Sequence, residues 1–359
     1  MQSLEQQKTD EMYMRRCIQL ARNGAVGAPP NPMVGAVVVC DGRIIGEGYH
    51  RRCGGAHAEV NAIASVADKS LLGRSTIYVS LEPCAHYGKT PPCADLIVSH
   101  RIPRVVVGCQ DPFAKVDGLG LKKLRDAGAE VVVGVLEKEC LALNARFVTY
   151  HTLHRPFISM KWAKSGDGYI DRTRADRSEG GAYVFSTPTT QALVHRLRAT
   201  HMAILVGSRT ALLDDPSLTT RSWPGESPLR LVVDMAGRLA GDLRLLADGL
   251  PTLVYTAVGK MPEAEAGHPA VTYVPLNENE ETLPQIMRDL YNRGVQTLLV
   301  EGGSATLQSF IDAGLWDEAY VESAPQKLGE GVAEPRLADA EVVESRLVDG
   351  HRLTHYRRG

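Results

Sequence analysis

The 359-residue chain has no basic excess: 40 Lys and Arg stand against 42 Asp and Glu, a formal net charge of -2. Charge alone therefore does not hold a phosphate backbone, and no nucleic-acid partner is expected. No apolar run approaches the roughly 18 residues that mark a membrane-spanning helix. The start, MQSLEQQKTDEM, is polar where a signal peptide would be apolar. No membrane partner is expected either. Cysteine is missing from everything after Cys140; Cys17, Cys40, Cys53, Cys84, Cys93, Cys109 and Cys140 all fall in the first half. An odd number of thiols without an export signal predicts reduced cysteines and a cytoplasmic protein. Their confinement to one half is a first sign of two modules.

Length points the same way, because 359 residues exceed one average domain. Tyr13, Cys17, Leu20 and Ala21 recur at helical spacing, which predicts a helix near 10–23. GAVVVC and RIIGEG, joined by Asp41-Gly42, read as a hairpin. HAEVNAIASVA, ADLIVSH and GLKKLRDAG read as helices; TIYVSL, RVVVGC and EVVVGV read as strands. This order predicts a mixed sheet with helices on its faces. Periodicity fades over 147–156, so the domains are expected at 1–150 and 155–359. The second half is again α/β. PFISMKWA, AILVG, LRLVVD, TLVYT and TLLVEGG read as strands, and TLPQIMRDLYNRG and SATLQSFIDAG as helices. TPTTQALVHRLRA reads as a helix capped by Thr187, with Pro188 at its first position.

The chemistry is concentrated in His57-Ala58-Glu59, Pro83-Cys84 and Pro92-Cys93. A catalytic zinc takes three protein ligands and keeps one position open, and one imidazole with two thiolates meets that need. Zinc then makes hydroxide available near neutral pH. Attack on an amidine-like ring carbon also needs a proton carrier, and Glu59, spare as a ligand, is placed for it. The ordered set His-x-Glu then Pro-Cys is the signature of zinc nucleobase deaminases. Eight residues (AHYGKTPP) separate Cys84 from Cys93, where nucleic-acid-editing deaminases have two. A closed structural zinc site would need a fourth ligand, for which Cys53 is the candidate.

In the second half the residues alone say less. Gly302-Gly303 follows a strand and opens a helix, where backbone amides could approach a phosphate. Lys161 and Lys164 interrupt an apolar strand, as edge lysines facing water often do.

PNPMVGAVVV, HAEVNAI and LEPCAHYGKTPPCADLI resemble the bifunctional deaminase/reductase family of riboflavin biosynthesis. RPFISMKWAKSGDG, LRATHMAILVGSRTALLDDPSLTTR and VEGGSATLQSF extend the resemblance across nearly the whole chain. It implies a cytidine-deaminase-like mixed-sheet domain followed by a dihydrofolate-reductase-like α/β domain. It also implies a phosphorylated pyrimidine substrate, Zn2+ and NADPH as cofactors, and a homo-oligomer. The first domain would deaminate 2,5-diamino-6-ribosylamino-4(3H)-pyrimidinone 5′-phosphate. The second would reduce the ribosyl chain to ribityl, giving 5-amino-6-ribitylamino-uracil 5′-phosphate.

Carried over by position, the resemblance makes His57, Cys84 and Cys93 the zinc ligands and Glu59 the proton shuttle. Asn31 would contact the base edge, and His86, with Lys89 and Thr90, the ribose phosphate. Asp111 would also bind substrate. Lys161 would be the catalytic cation beside the sugar. Arg198 and Arg221 would bind substrate at its phosphate, with Leu218 and Glu301 as further contacts. Lys164, Thr210, Asp214 and Gly302 would contact the cofactor. Ala182 and Val184 stand where many members carry Ser and Trp.

Overall fold

The computed structural model describes residues 3–85, 87, 91–112, 118–261 and 269–359. The chain divides into two compact units, Met1–His154 and Arg155–Gly359. Among the described residues no helix is long and apolar enough to cross a membrane.

The first unit runs α1 (Leu4–Ala21), β1 (Gly35–Cys40), β2 (Arg43–Tyr49), α2 (Ala58–Ser65), β3 (Thr76–Leu81), α3 (Cys93–Ser99), β4 (Arg104–Cys109), α4 (Leu119–Asp126), β5 (Glu130–Val133), α5 (Glu137–Leu143) and α6 (Ala145–Leu153). Its sheet has the order β2-β1-β3-β4-β5. β1 is antiparallel to both neighbours, while β3, β4 and β5 are parallel. Asp41 and Gly42 close the β1–β2 hairpin at φ 50° and 73°, the left-handed backbone a tight hairpin turn requires.

α1 starts earlier than its apolar spacing predicts. Ser3 caps it by accepting from the Gln6 amide, and its first turns lie mostly at the surface, where no stripe is needed. α6 occupies the stretch whose periodicity fades. Its one buried residue is Phe147, so it offers no apolar stripe to read.

α2 matters most here, because it carries the His-x-Glu motif. It lies directly on β2, and two glycines permit this. A Cβ at Gly48 would sit 2.3 Å from the Ala62 amide nitrogen, and one at Gly46 2.5 Å from the Ala62 carbonyl oxygen. We expect Gly48→Ala to lose about 1–3 kcal/mol of stability, as overpacked sites do. Zinc content should fall with it, since α2 must lift off the sheet. Urea unfolding and metal analysis of the same preparation check both.

The second unit runs β6 (Phe157–Lys164), β7 (Tyr169–Asp171), α7 (Pro188–Ala199), β8 (Ala203–Gly207), α8 (Ser208–Asp214), β9 (Leu229–Val233), α9 (Arg244–Ala247), β10 (Thr252–Ala257), β11 (Val271–Leu276), α10 (Thr282–Asn292), β12 (Thr297–Gly302), α11 (Ser304–Asp312), β13 (Glu318–Ser323), β14 (Val332–Ala333), β15 (Ala340–Val348) and β16 (His351–Arg358). Its main sheet has the order β11-β10-β9-β8-β12-β6-β13-β16-β15. Strands β11 through β13 are parallel, and β16 and β15 close one edge antiparallel.

Alternation along β6 sorts its side chains. Ile158, Met160 and Trp162 enter the large core with Leu298, Val300, Ala319 and Val321. Ser159 and Lys161 therefore take the opposite face, and their register partners are Glu318 and Tyr320 of β13. Ser159 and Glu318 mark the amino ends of these strands and Lys161 lies mid-strand, while Glu301 and Glu322 lie near the carboxyl ends of β12 and β13, where open α/β sheets bind ligands.

Candidate active sites in the two units

In the first unit, three separate elements deliver the candidate metal-binding atoms. His57 is the N-cap of α2, Cys84 follows β3, and Cys93 is the first residue of α3. The Nδ1 of His57 lies 3.6 Å from Cys84 Sγ and 3.4 Å from Cys93 Sγ. All three atoms lie within 4.8 Å of one another. Tetrahedral zinc, with bonds of about 2.05 Å to nitrogen and 2.3 Å to sulfur, sets N···S edges of ~3.6 Å. The donor set fits that ion. Cys53 is exposed and stands outside the group, so the fourth-ligand alternative finds no support among the described residues.

The Cys84 thiol is held well below its ordinary range. The Cys93 thiol donating to it is the chief cause, with burial opposing and His57 and the Cys93 amide helping. His57 is raised by its bond to Cys84. Glu59, in the first turn of α2, is 3% exposed, and burial pushes its carboxyl up to about 7 against the pull of His57.

Two neighbours of this centre were not singled out in the sequence. His50, 3% exposed, packs edge-on to His57 with ring centroids 5.4 Å apart, and it contacts Asn31 at 3.2 Å. Glu82 is a buried carboxylate that accepts backbone N–H groups from Asp111, Gly118, Gly120 and Leu121 at 2.9–3.3 Å. It thereby holds Asp111 beside the strand that leads to Cys84. A glutamate just before Pro-Cys was the available signal. His86, Lys89 and Thr90 lie outside the described residues.

In the second unit, Lys161 is partly buried. Burial lowers its pKa, opposed by Glu301 and Glu322 and reinforced by Arg198. Arg198 grips Glu301 with Nε and Nη2 at 2.8 and 2.7 Å, and Nη1 donates to the Thr219 carbonyl at 3.0 Å. Burial opposes ionisation of Glu301, but Arg198 outweighs it and the net shift is downward. Glu322, missed from sequence, is 3% exposed and bonds Ser186, Thr190 and His351 at 2.6–2.8 Å.

The remaining expected contacts are more dispersed. Arg221 is exposed and bonds Ser217 and Thr219. Leu218 is 2% exposed, its side chain in a small apolar cluster and its backbone at φ 52°. Thr210 accepts from the Gly303 amide at 3.0 Å, which joins α8 to the end of β12 beside Gly302. A Cβ on Gly302 would lie 3.1 Å from the Thr210 methyl, so a side chain here would have to push Thr210 aside by a few tenths of an ångström. Asp214 is ion-paired to the buried Arg174, which also holds Asp171. Lys164 pairs with Glu334 at 2.6 Å.

Comparison with known proteins assigns both units. Residues 7–109 match the cytidine and deoxycytidylate deaminase zinc-binding region, and residues 156–356 match the RibD C-terminal domain. The riboflavin biosynthesis protein RibD of Aquifex aeolicus is 38% identical over 338 residues, covering 94% of this chain and 92% of its own. That of Escherichia coli is 35% identical over 334 residues, with 89% of each covered. A crystal structure of a Thermotoga maritima diaminohydroxyphosphoribosylaminopyrimidine deaminase/5-amino-6-(5-phosphoribosylamino)uracil reductase superposes with a TM-score of 0.85. It has 37% identity and covers 99% of this chain and 100% of that one. The chain belongs to the RibD family, the bifunctional deaminase–reductases of riboflavin biosynthesis.

Proposed function

We propose that the two steps divide between the units, with His57, Cys84 and Cys93 holding zinc for deamination and Lys161 serving the reduction. The observation that carries the reading is the triad of donor atoms at tetrahedral spacing with a buried carboxylate beside it. Zinc would supply hydroxide at neutral pH. Glu59 would take up the proton and deliver it to the ring nitrogen and then to the departing ammonia. Asn31 would meet the base edge. Asp111, whose backbone N–H is held by Glu82, would also bind substrate, with His86 at the ribose phosphate.

In the second unit, NADPH would supply the hydride. Lys161 would stabilise charge developing on the sugar oxygen. The Arg198–Glu301 pair supports a positioning role for Arg198, which keeps an N–H on each Nη for a substrate oxygen. Arg221 and Leu218 would contact the substrate. Lys164, Thr210, Asp214 and Gly302 would line the cofactor side, with Thr210 and Gly302 setting the turn the cofactor meets.

We place the protein in the cytoplasm because its seven cysteines are free. We also infer a homo-oligomer. β15 is an outer edge strand with exposed Val342, Val343 and Leu347, a surface that pairing would cover. Sedimentation tests this.

The functional test follows ammonia release and NADPH oxidation separately on the diaminopyrimidinone ribosyl phosphate. Stripping zinc with a strong chelator should abolish ammonia release, and zinc should restore it. NADPH oxidation on the pre-deaminated compound should survive chelation. Loss of both signals would overturn the division of labour.

A further inference from the structure

The contact between His50 and Asn31 determines which way the Asn31 amide faces. His50 Nδ1 lies 3.1 Å from the carbonyl oxygen of Ala56. A carbonyl only accepts, so Nδ1 carries the hydrogen. The ring is 3% exposed, and no carboxylate among the described residues is bonded to it. Its other nitrogen, Nε2, faces Asn31 Nδ2 at 3.2 Å, where it accepts from the amide NH2. Asn31 must turn its NH2 to the ring, and its Oδ1 has no hydrogen-bond partner among the described residues. The Ala56 carbonyl is itself fixed, since Asn61 Nδ2 donates to it at 3.2 Å and to the Tyr49 carbonyl at 2.9 Å. The His50 backbone N–H is tied to Val34 at 2.9 Å, so the ring has little freedom to retreat.

We propose that His50 is a positioning residue that locks Asn31 as a hydrogen-bond acceptor toward the base, selecting an N–H on the amidine edge over a carbonyl. The relay runs from Ala56 O through the His50 tautomer to Asn31 Oδ1. It ends one ring away from the metal ligand His57. A substrate bearing an amino group at the reacting carbon donates to that oxygen. The product, with a carbonyl in its place, meets oxygen with oxygen and leaves. The same residue that binds substrate therefore disfavours product. The inference rests on reading Asn31 as a base contact.

The test uses the full zinc-loaded chain without NADPH, so that only ammonia release is read. KM for the diaminopyrimidinone ribosyl phosphate and the inhibition constant of its deaminated product are measured together. His50→Leu frees the amide to rotate, so KM should rise about tenfold while product binds as well or better. The ratio of product to substrate affinity is a readout that a merely loosened fold does not move in one direction. His50→Gln carries both a donor and an acceptor and should restore the discrimination. An unchanged ratio in His50→Leu, with zinc retained, overturns the proposal. So does an equal weakening of substrate and product that His50→Gln fails to repair. Asn31→Ala separates the two levels. If it leaves KM unchanged, the base contact itself is wrong; if it raises KM while His50→Leu leaves the ratio alone, only the locking role fails.

Discussion

Glu59→Gln should keep its zinc and lose ammonia release by about 10²–10⁴-fold, the range spanned by positioned acid–base groups. The argument is geometric. The metal triad is complete without Glu59, because His57, Cys84 and Cys93 already bring three donor atoms to tetrahedral spacing. Glu59 shares their neighbourhood, being two residues from His57 on α2 and 3% exposed. Glutamine matches its volume and fits the same buried slot. What the amide lacks is a proton it can take up and release. Metal analysis should therefore show parental zinc, while ammonia release collapses. Reduction of the pre-deaminated compound should proceed at the parental rate, because the residues proposed for it all lie in the second unit. Loss of zinc from Glu59→Gln would make the carboxylate a structural support of the centre, and the shuttle role would fall.

The grouping of the candidate metal ligands was legible in the sequence because its motif is local. His57 and Glu59 lie in one helical turn, and Cys84 and Cys93 each follow a proline at an element boundary. Their residue types and order leave few other uses. His50 and Glu82 were not legible, because their roles are set by backbone groups. His50 takes its tautomer from the Ala56 carbonyl, and Glu82 collects amides from 29 to 39 positions away. For Glu82 the only signal was its place before Pro83-Cys84, and for His50 there was none. Fold legibility followed the same division. Strands buried on both sides, such as β1 and β4, read as continuous apolar runs. β15 is exposed almost throughout, so neither alternation nor an apolar run marks it, and its place comes from pairing with β16. In the second unit the family resemblance carried the site expectations. Only the structure reveals that Arg198 already grips Glu301, and that Leu218 has its side chain in a core.

Lys161→Ala should lower NADPH oxidation by about 10²–10³-fold, the loss typical of one group stabilising a developing oxyanion. Ammonia release should stay at the parental level, and equal loss of both would mean misfolding instead. Lys161→Met is the companion variant, since it keeps the chain's bulk on β6 and removes only the charge. A pH profile gives a second and independent reading. Lys161 must be an ammonium to act, so the rate falls as pH rises through its pKa. Burial lowers that pKa from the ordinary lysine value, while Glu301 and Glu322 resist the fall and Arg198 adds to it. The basic limb of the reductase profile should accordingly lie below the range of a free lysine. Glu322→Gln removes one of the opposing charges from β13, so the limb should move to still lower pH. An unmoved or upward-moving limb, in a variant that keeps its melting temperature, would take the titration away from Lys161. The direction matters more than the size, because a purely structural role for Glu322 lowers the rate at every pH and leaves the limb in place.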